Sequence, residues 1–130
     1  MSIVDRFQAA PYYRLLGLHA ESGAPGTARV TLPFREDLTQ LYGDIHGGGL
    51  LSLADAAMSI ALATTFGGDE RTATVDLSMQ FLQPAGRRDV VAEASIVRRG
   101  RRLAFVECSL RAGDEEIARG RGIFRITLPK

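Results

Sequence analysis

Between Leu50 and Phe66 the chain is almost unbroken Leu, Ala, Ile and Met with Ser and Thr, and it carries one charge, Asp55. A run of that length is too long for a buried strand and is rich in helix formers. It therefore reads as one helix of about five turns. Gly47-Gly48-Gly49 open it and Gly67-Gly68 stop it. A helix that is apolar nearly all round must be enclosed on most of its sides, so the rest of the chain has to supply a wrapper.

The wrapper is legible as strands. Ala73, Val75, Leu77, Met79 and Phe81 fall on one face of a period-two segment, with Thr74, Asp76, Ser78 and Gln80 on the other. After a turn at Pro84-Ala85-Gly86, Val90, Ala92, Ala94 and Ile96 alternate with Val91, Glu93, Ser95 and Val97. Arg102, Ala104, Val106, Cys108 and Leu110 then alternate with Leu103, Phe105, Glu107, Ser109 and Arg111, up to a turn at Gly113-Asp114. The last strand, Ile117 to Leu128, sets Ala118, Gly120, Gly122, Phe124 and Ile126 against Arg119, Arg121 and Arg125. Upstream, Asp5 to Leu16 reads as a short helix that Pro11 ends or kinks. Leu16–Glu21 and Thr27–Leu32 flank the turn cluster Ser22-Gly23-Ala24-Pro25-Gly26 as a hairpin. The order is helix, hairpin, long apolar helix and a meander of strands, in which strands joined by short turns pair antiparallel. That is an α+β fold in which the sheet curls around the helix.

At 130 residues the chain is expected to be one domain spanning 1–130, with 1–16 as an N-terminal helical segment. Its hydrophobic content of 45% and net charge of +1 exclude disorder as the dominant state. The same charge, with no tryptophan, makes nucleic acid a poor partner. No apolar run reaches the ~20 residues needed to cross a bilayer. Met1-Ser2-Ile3-Val4-Asp5-Arg6 lacks the layout of a secretory signal. A cytoplasmic protein is expected.

Two features of the long helix point to chemistry. The N–H groups of Gly47, Gly48 and Gly49 sit at the positive end of the dipole without intrahelical partners, and glycine lets a ligand come close. Such a helix start can hold an oxyanion or a polarised carbonyl; a plain turn is the alternative. Asp55 is the only charged residue between Asp44 and Asp69, and no Lys or Arg occurs from Glu36 to Glu70. A carboxylate buried without a partner raises its pKa. Ser52, Asp55 and Ser59 at i, i+3 and i+7 form a narrow polar stripe on the greasy helix. Gly47 and Asp55 are eight residues apart, about 12 Å along a helix axis. Both groups can meet one reacting carbonyl only if they come from two chains whose helices run antiparallel, as in a two-fold dimer.

Other candidates are weaker. His19 lies in the first strand as a structural residue, and His46 precedes the glycines, where it can orient the loop or reach a substrate carbonyl. One cysteine and two distant histidines do not make a zinc site, so no metal is expected. Cys108 alternates inward with Val106 and Leu110, which favours burial over nucleophilic work. Fifteen of the sixteen basic residues are arginine. Arg98-Arg99-Gly100-Arg101-Arg102 at a strand turn can fork onto phosphates or simply be solvated.

His46-Gly47-Gly48, the nine-residue step to Asp55, Thr74-Val75-Asp76-Leu77 and Phe81-Leu82-Gln83-Pro84-Ala85 together form a pattern. On it, the sequence resembles the hotdog-fold thioesterases of the phenylacetate-degradation and 4-hydroxybenzoyl-CoA type, over about Gly17 to Ile126. The resemblance implies a central helix wrapped by an antiparallel sheet, with dimers paired through their sheets and usually assembled as tetramers. It makes Gly47 the backbone oxyanion donor and Asp55 the catalytic carboxylate, contributed by the opposite subunit. Gln40 matches a polar residue near the thioester carbonyl, His46 the loop histidine, Ser59 a hydroxyl one turn beyond the carboxylate, and Thr74 a hydroxyl that positions water. Gly48, Met58 and Phe81 are candidates for contact with the acyl end, with core packing as the alternative for the latter two. Arg101 and Arg102 are candidates for the phosphates of coenzyme A.

The activity implied is hydrolysis of an aryl- or medium-chain acyl-CoA, with Asp55 as general base or nucleophile and with no cofactor beyond the coenzyme A of the substrate. A non-catalytic acyl-CoA-binding or regulatory module, or a hotdog hydratase or dehydratase using His46 as base, are the alternatives.

Overall fold

The structure, a computed structural model, describes residues 2–21 and 23–128. Two short helices, α1 (Ile3–Gln8) and α2 (Pro11–Leu16), precede strands β1 (His19–Glu21) and β2 (Thr27–Leu32). A 3-10 turn at Glu36–Leu38 leads to the long helix α3 (Gly47–Ala63), then β3 (Arg71–Phe81), β4 (Val90–Arg99), β5 (Leu103–Ala112) and β6 (Glu115–Thr127). The strands form one antiparallel sheet in the order β1-β2-β4-β5-β6-β3, and α3 packs against β2 to β6. This is the α+β wrapper that the apolar helix requires. Leu53, Met58, Ile60 and Leu62 of α3 are fully buried against Val30, Leu32, Val90, Val106, Leu110, Ile117 and Phe124 of the sheet, each contributing roughly 1.5–3 kcal/mol by burial. Among the described residues, no helix is long and apolar enough to cross a membrane.

Several boundaries differ from the sequence reading. The single N-terminal helix is two, because Pro11 starts α2 at a position where its missing N–H costs nothing and holds Ala10 extended at ψ 138°. Gly17 at φ 78° caps α2, so Leu16 is the last residue of a helix instead of opening a strand, and β1 is only three residues long. Ser22 of the following turn lies outside the described residues. Helix α3 stops at Ala63, short of Phe66, because the Thr64 and Thr65 hydroxyls donate to the Ala61 and Leu62 carbonyls at 2.7 Å. The meander holds for β4-β5-β6, but β3 does not pair with β4: it crosses to the far edge, beside β6.

The faces of β3 also depart from simple alternation. The register slips between Thr74 and Asp76, leaving Val75 as the extra residue of a β-bulge. Thr72 and Thr74 therefore pair with Ile126 and Phe124 on the helix side, and Leu77 and Met79 pair with Gly122 and Gly120 on that same side. Val75 is turned out and exposed. A second slip between Ile96 and Arg98 turns Val97 outward and brings Arg99, opposite buried Ala104, to the helix side. There Arg99 bonds Thr65 and pairs with Glu70 at 3.1 Å.

The glycines of β6 make room for β3. A Cβ at Gly120 would lie 2.5 Å from the Ser78 carbonyl oxygen and on top of the Met79 sulfur, whereas one at Gly67 meets nothing within 4 Å. Gly120→Ala is expected to lower stability by about 1–3 kcal/mol, the range for overpacking, and Gly67→Ala by far less. Urea denaturation of both variants checks this.

Candidate active site

The start of α3 distributes its donors unevenly. His46 caps the helix, and its Nδ1 accepts the Gly48 N–H at 2.7 Å. The Gly49 and Leu50 N–H groups donate to the His46 carbonyl at 2.9 and 3.2 Å. Gly47 is left as the first residue of the helix with an N–H that no described residue accepts. The free donor at the positive end of the dipole is thus Gly47, while Gly48 is occupied by its own cap. Glycine at 48 is required by that cap, since a Cβ there would sit 2.9 Å from the His46 Nδ1. The Phe81 ring lies beside Gly47, 3.8 Å from where a Cβ would be.

Asp55 lies half-buried midway along the same helix, and the Thr74 hydroxyl donates to its Oδ1 at 2.9 Å. Burial pushes the Asp55 carboxyl above its ordinary range, and the Thr74 hydrogen bond pulls it partly back. The bulge at Val75 makes this contact possible by placing Thr74 on the helix side of β3. Strand β3 runs antiparallel to α3, with Phe81 at the Gly47 end and Thr74 at Asp55. Gly47 and Asp55 of one chain therefore stay about 12 Å apart along the helix. The polar stripe continues at Ser52, whose hydroxyl donates to the Gly48 carbonyl at 3.0 Å and meets the Tyr12 hydroxyl at 2.8 Å. Ser59 is buried one turn past Asp55, and Thr72, on the same side of β3, holds a buried Oγ1 without a partner among the described residues.

The remaining candidates scatter. Gln40 stands in a tight turn, its Oε1 accepting the Tyr42 N–H at 2.5 Å and its backbone N–H bonded to Asp44 O at 2.8 Å. Its side chain shapes the loop that ends at His46, whose own N–H donates to the Leu38 carbonyl. Met58 lies wholly in the core. Arg101 and Arg102 flank a depression of about 450 Å³ with Glu70 and Arg125, at the β4–β5 turn that Arg99 ties to the C-terminal end of α3. That is the opposite end of the helix from Gly47. His19 is exposed on β1, and burial pushes the Cys108 thiol up to about 12, which keeps it protonated. A groove of about 820 Å³ on the outer face of the sheet, between Gln80, Val97, Phe105 and Arg121, contains neither Asp55 nor Gly47. Among the described residues, no group of three His, Cys, Asp or Glu side chains could hold a metal ion.

Sequence reasoning missed Tyr13 on α2. Burial, and then the negative charge of Asp55, push its phenol up to about 12. The one available signal was Tyr12-Tyr13 in a segment otherwise read only as apolar surface.

The raised carboxyl of Asp55 has a consequence for stability. Between its ordinary pKa and its folded value the native state holds a proton that the unfolded chain has lost, so stability falls as pH rises through that window. Asp55→Asn is therefore expected to melt above the wild type at pH 7, with the difference vanishing below the ordinary carboxylate range near ~4. Thermal melts between pH 3 and 8 measure this.

Comparison with known proteins converges on one family. The model of the thioesterase superfamily matches residues 42–118. Acyl-coenzyme A thioesterase 13 of Homo sapiens is 31% identical over 118 residues, covering 88% of this chain and 84% of that protein. A thioesterase family protein from Silicibacter pomeroyi superposes with a TM-score of 0.90 at 26% identity, covering 96% of this chain and 95% of that one. A mutant of the phenylacetic acid degradation protein PaaI from Thermus thermophilus gives 0.82 at 30% identity, over 89% and 98%. Wrapped helix, capped glycine turn and matched sequence together make this chain a member of the thioesterase superfamily, a thioester hydrolase with the hotdog fold.

Proposed function

We propose that the protein hydrolyses acyl-CoA thioesters in a site shared by two copies of the chain, the Gly47 N–H of one facing Asp55 of the other. The observation that carries this reading is the division of the two groups along α3: a free donor at its start and a desolvated carboxylate two turns on. Neither can serve the other's carbonyl within a single chain. The edge of the sheet supports a dimer. Strand β1 is three residues long and presents little edge, whereas β3 exposes eleven residues beside the Asp55–Thr74 pair. A long open edge is a template for pairing with another strand, and an antiparallel β3–β3 pair carries the two helices past each other in opposite directions.

In this site the Gly47 N–H polarises the thioester carbonyl and holds the oxyanion that forms on it. Asp55 acts as general base: a carboxyl raised above its ordinary range is better matched to accepting a proton near neutrality. Thr74 fixes one carboxylate oxygen, leaving the other to take a proton from water as the water oxygen bonds to the carbonyl carbon. Collapse of the adduct breaks the C–S bond, and the proton on Asp55 passes to the departing coenzyme A sulfur. The chain's own residues supply each group in these steps. Phe81, beside Gly47, is an apolar wall of the site, and Gln40 and His46 act by shaping the turn that presents the Gly47 N–H.

Asp55→Asn is expected to fold and lose at least ~100-fold in turnover, read as free thiol released from a panel of acyl-CoAs. Gly47→Pro deletes the other group without disturbing the helix, because proline is tolerated at the first helical position and a Cβ there meets only van der Waals contact. It is expected to lose ~10²–10³-fold, while Gly47→Ala keeps its N–H and its activity.

Mixing the two inactive variants tests the shared site itself. Heterodimers of Asp55→Asn with Gly47→Pro hold one site with both groups intact, so re-equilibrated mixtures should recover about a quarter of wild-type turnover by statistical pairing of protomers across a two-fold interface. If both groups served one site from the same chain, the mixture would stay inactive.

A further inference from the structure

The structure sorts the arginines of the β4–β5 turn one by one. Arg98 follows the bulge in β4 and lines the outer groove with Asp76 and Glu107. Arg99 turns to the helix side, where it bonds Thr65 at 2.9 Å and both Glu70 carboxylate oxygens at 3.1 Å. Glu70 also accepts the Gly67 N–H at 3.1 Å, so its carboxylate is already engaged. Arg101 and Arg102 stay exposed, and neither forms an ion pair with a described residue.

The backbone holds these two beside a third arginine from another strand. The Gly100 N–H donates to the Leu103 carbonyl at 2.8 Å, which closes the turn, and the Arg102 carbonyl accepts the Ile126 N–H of β6 at 2.8 Å. Arg125, next to Ile126, is exposed opposite Leu103 in the ladder, and it too pairs with no described acid. Arg101, Arg102 and Arg125 line one depression of about 450 Å³, and the one carboxylate on its wall is Glu70, which Arg99 neutralises. In a chain of net charge +1 this gathers uncompensated positive charge at a single concave spot. Guanidinium forks converging there match the oxygens of phosphate groups.

We infer that Arg101, Arg102 and Arg125 form a subsite for the phosphate groups of the substrate's coenzyme A, supplied by the same chain as Asp55. The inference rests on the thioesterase reading above and adds where the nucleotide end of the substrate is held. Arg99 fastens the turn to Thr65, just past the end of α3 at Ala63. From Asp55 to Ala63 is about 12 Å along the axis. The pantetheine arm between sulfur and diphosphate reaches about 14 Å when extended, at the bond spacing of a polypeptide. A carbonyl at Asp55 and a diphosphate at the three arginines are therefore within reach of one substrate. Gly47 of the same chain lies off in the opposite direction along the helix, so in the shared site it is the chain giving the acid that also grips the phosphates. Contacts so remote from the reacting carbon act equally on ground and transition states, and they lower KM without raising kcat.

The test compares an acyl-CoA with the matching acyl-pantetheine, which has the same thioester and no phosphate. The triple variant Arg101→Gln, Arg102→Gln, Arg125→Gln should raise KM for the acyl-CoA by at least ~10-fold with kcat unchanged, as expected for lost hydrogen bonds to charged groups. Its kcat and KM for the acyl-pantetheine should equal those of the wild type. Arg29→Gln, which removes a charge from β2 elsewhere on the sheet, should leave both substrates unaffected. An unchanged KM for the acyl-CoA, an equal rise for both substrates, or the same rise in Arg29→Gln overturns the inference while leaving hydrolysis by Asp55 and Gly47 intact. Calorimetric titration with coenzyme A itself judges the subsite without turnover: the triple variant should bind at least ~10-fold more weakly than the wild type, and equal binding overturns the inference. Absence of thiol release from every thioester by the wild type would instead sink the thioesterase reading, and the titration tells the two failures apart.

Discussion

A carboxylate carried into the side of an otherwise apolar helix is the constraint on which the rest of this structure turns. Desolvation opposes its charge, and among the described residues no cation pairs with it: Arg99 is spent on Glu70 and Thr65 at the far end of the helix. What the fold supplies is a single hydroxyl, Thr74, delivered by a strand that must break its alternation to do so. A β-bulge costs one ladder position and leaves an exposed valine. Such a local defect is tolerated where it orients a group that the rest of the sheet could not reach. Full compensation by an arginine would have returned the carboxyl to its ordinary range or below it and weakened it as a base. Partial compensation leaves it raised and oriented.

The start of the helix follows a complementary logic. Three consecutive glycines suggest three equivalent donors, but the structure uses them differently. One is consumed by the His46 ring, one by an early helical bond, and one remains free. The cap also explains why His46 and Gly48 belong together: the imidazole nitrogen occupies the space that any larger residue at 48 would need. The histidine thus has a structural office at the site whether or not it meets a substrate. Gln40 has a similar one, holding the turn that sets the entry of the helix.

Much of this was legible in the residues. Leu50–Phe66 declared the helix because no other arrangement buries so long an apolar run, and Asp55 declared itself by being the one charge within it. The inward faces of β4 and β5 up to Ile96 and Leu110 followed from alternation. The bulges in β3 and β4 were not legible, because a bulge is set by how a strand fits its neighbour and leaves no mark in a period-two pattern. Alternation therefore put Thr74 on the face opposite Leu77, when both face the helix. The destination of β3 was hidden for a related reason: the short turn at Pro84-Ala85-Gly86 looks like a hairpin, yet its residues bridge to the loop before α3, with Gly86 O accepting the Ile45 N–H at 3.1 Å.

Sending β3 to the sheet edge has a further effect that links fold to chemistry. Had it paired with β4 in sequence order, Thr74 would have been enclosed between two strands and the Asp55 face closed by backbone. At the edge, β3 keeps one side of its ladder on β6 and leaves the other unpaired. The unpaired side lies next to the carboxylate, so whatever pairs with it is brought to the site. An edge of eleven residues beside a half-buried acid would be a hazard in a protein that acted alone. In the proposed dimer a second copy would remove the hazard by covering the edge, and the same docking would bring a free helix-start N–H toward the acid. Stability of the sheet and assembly of the proposed site would then depend on one contact, set by the spacing of Gly47 and Asp55 along α3 and not by any single residue.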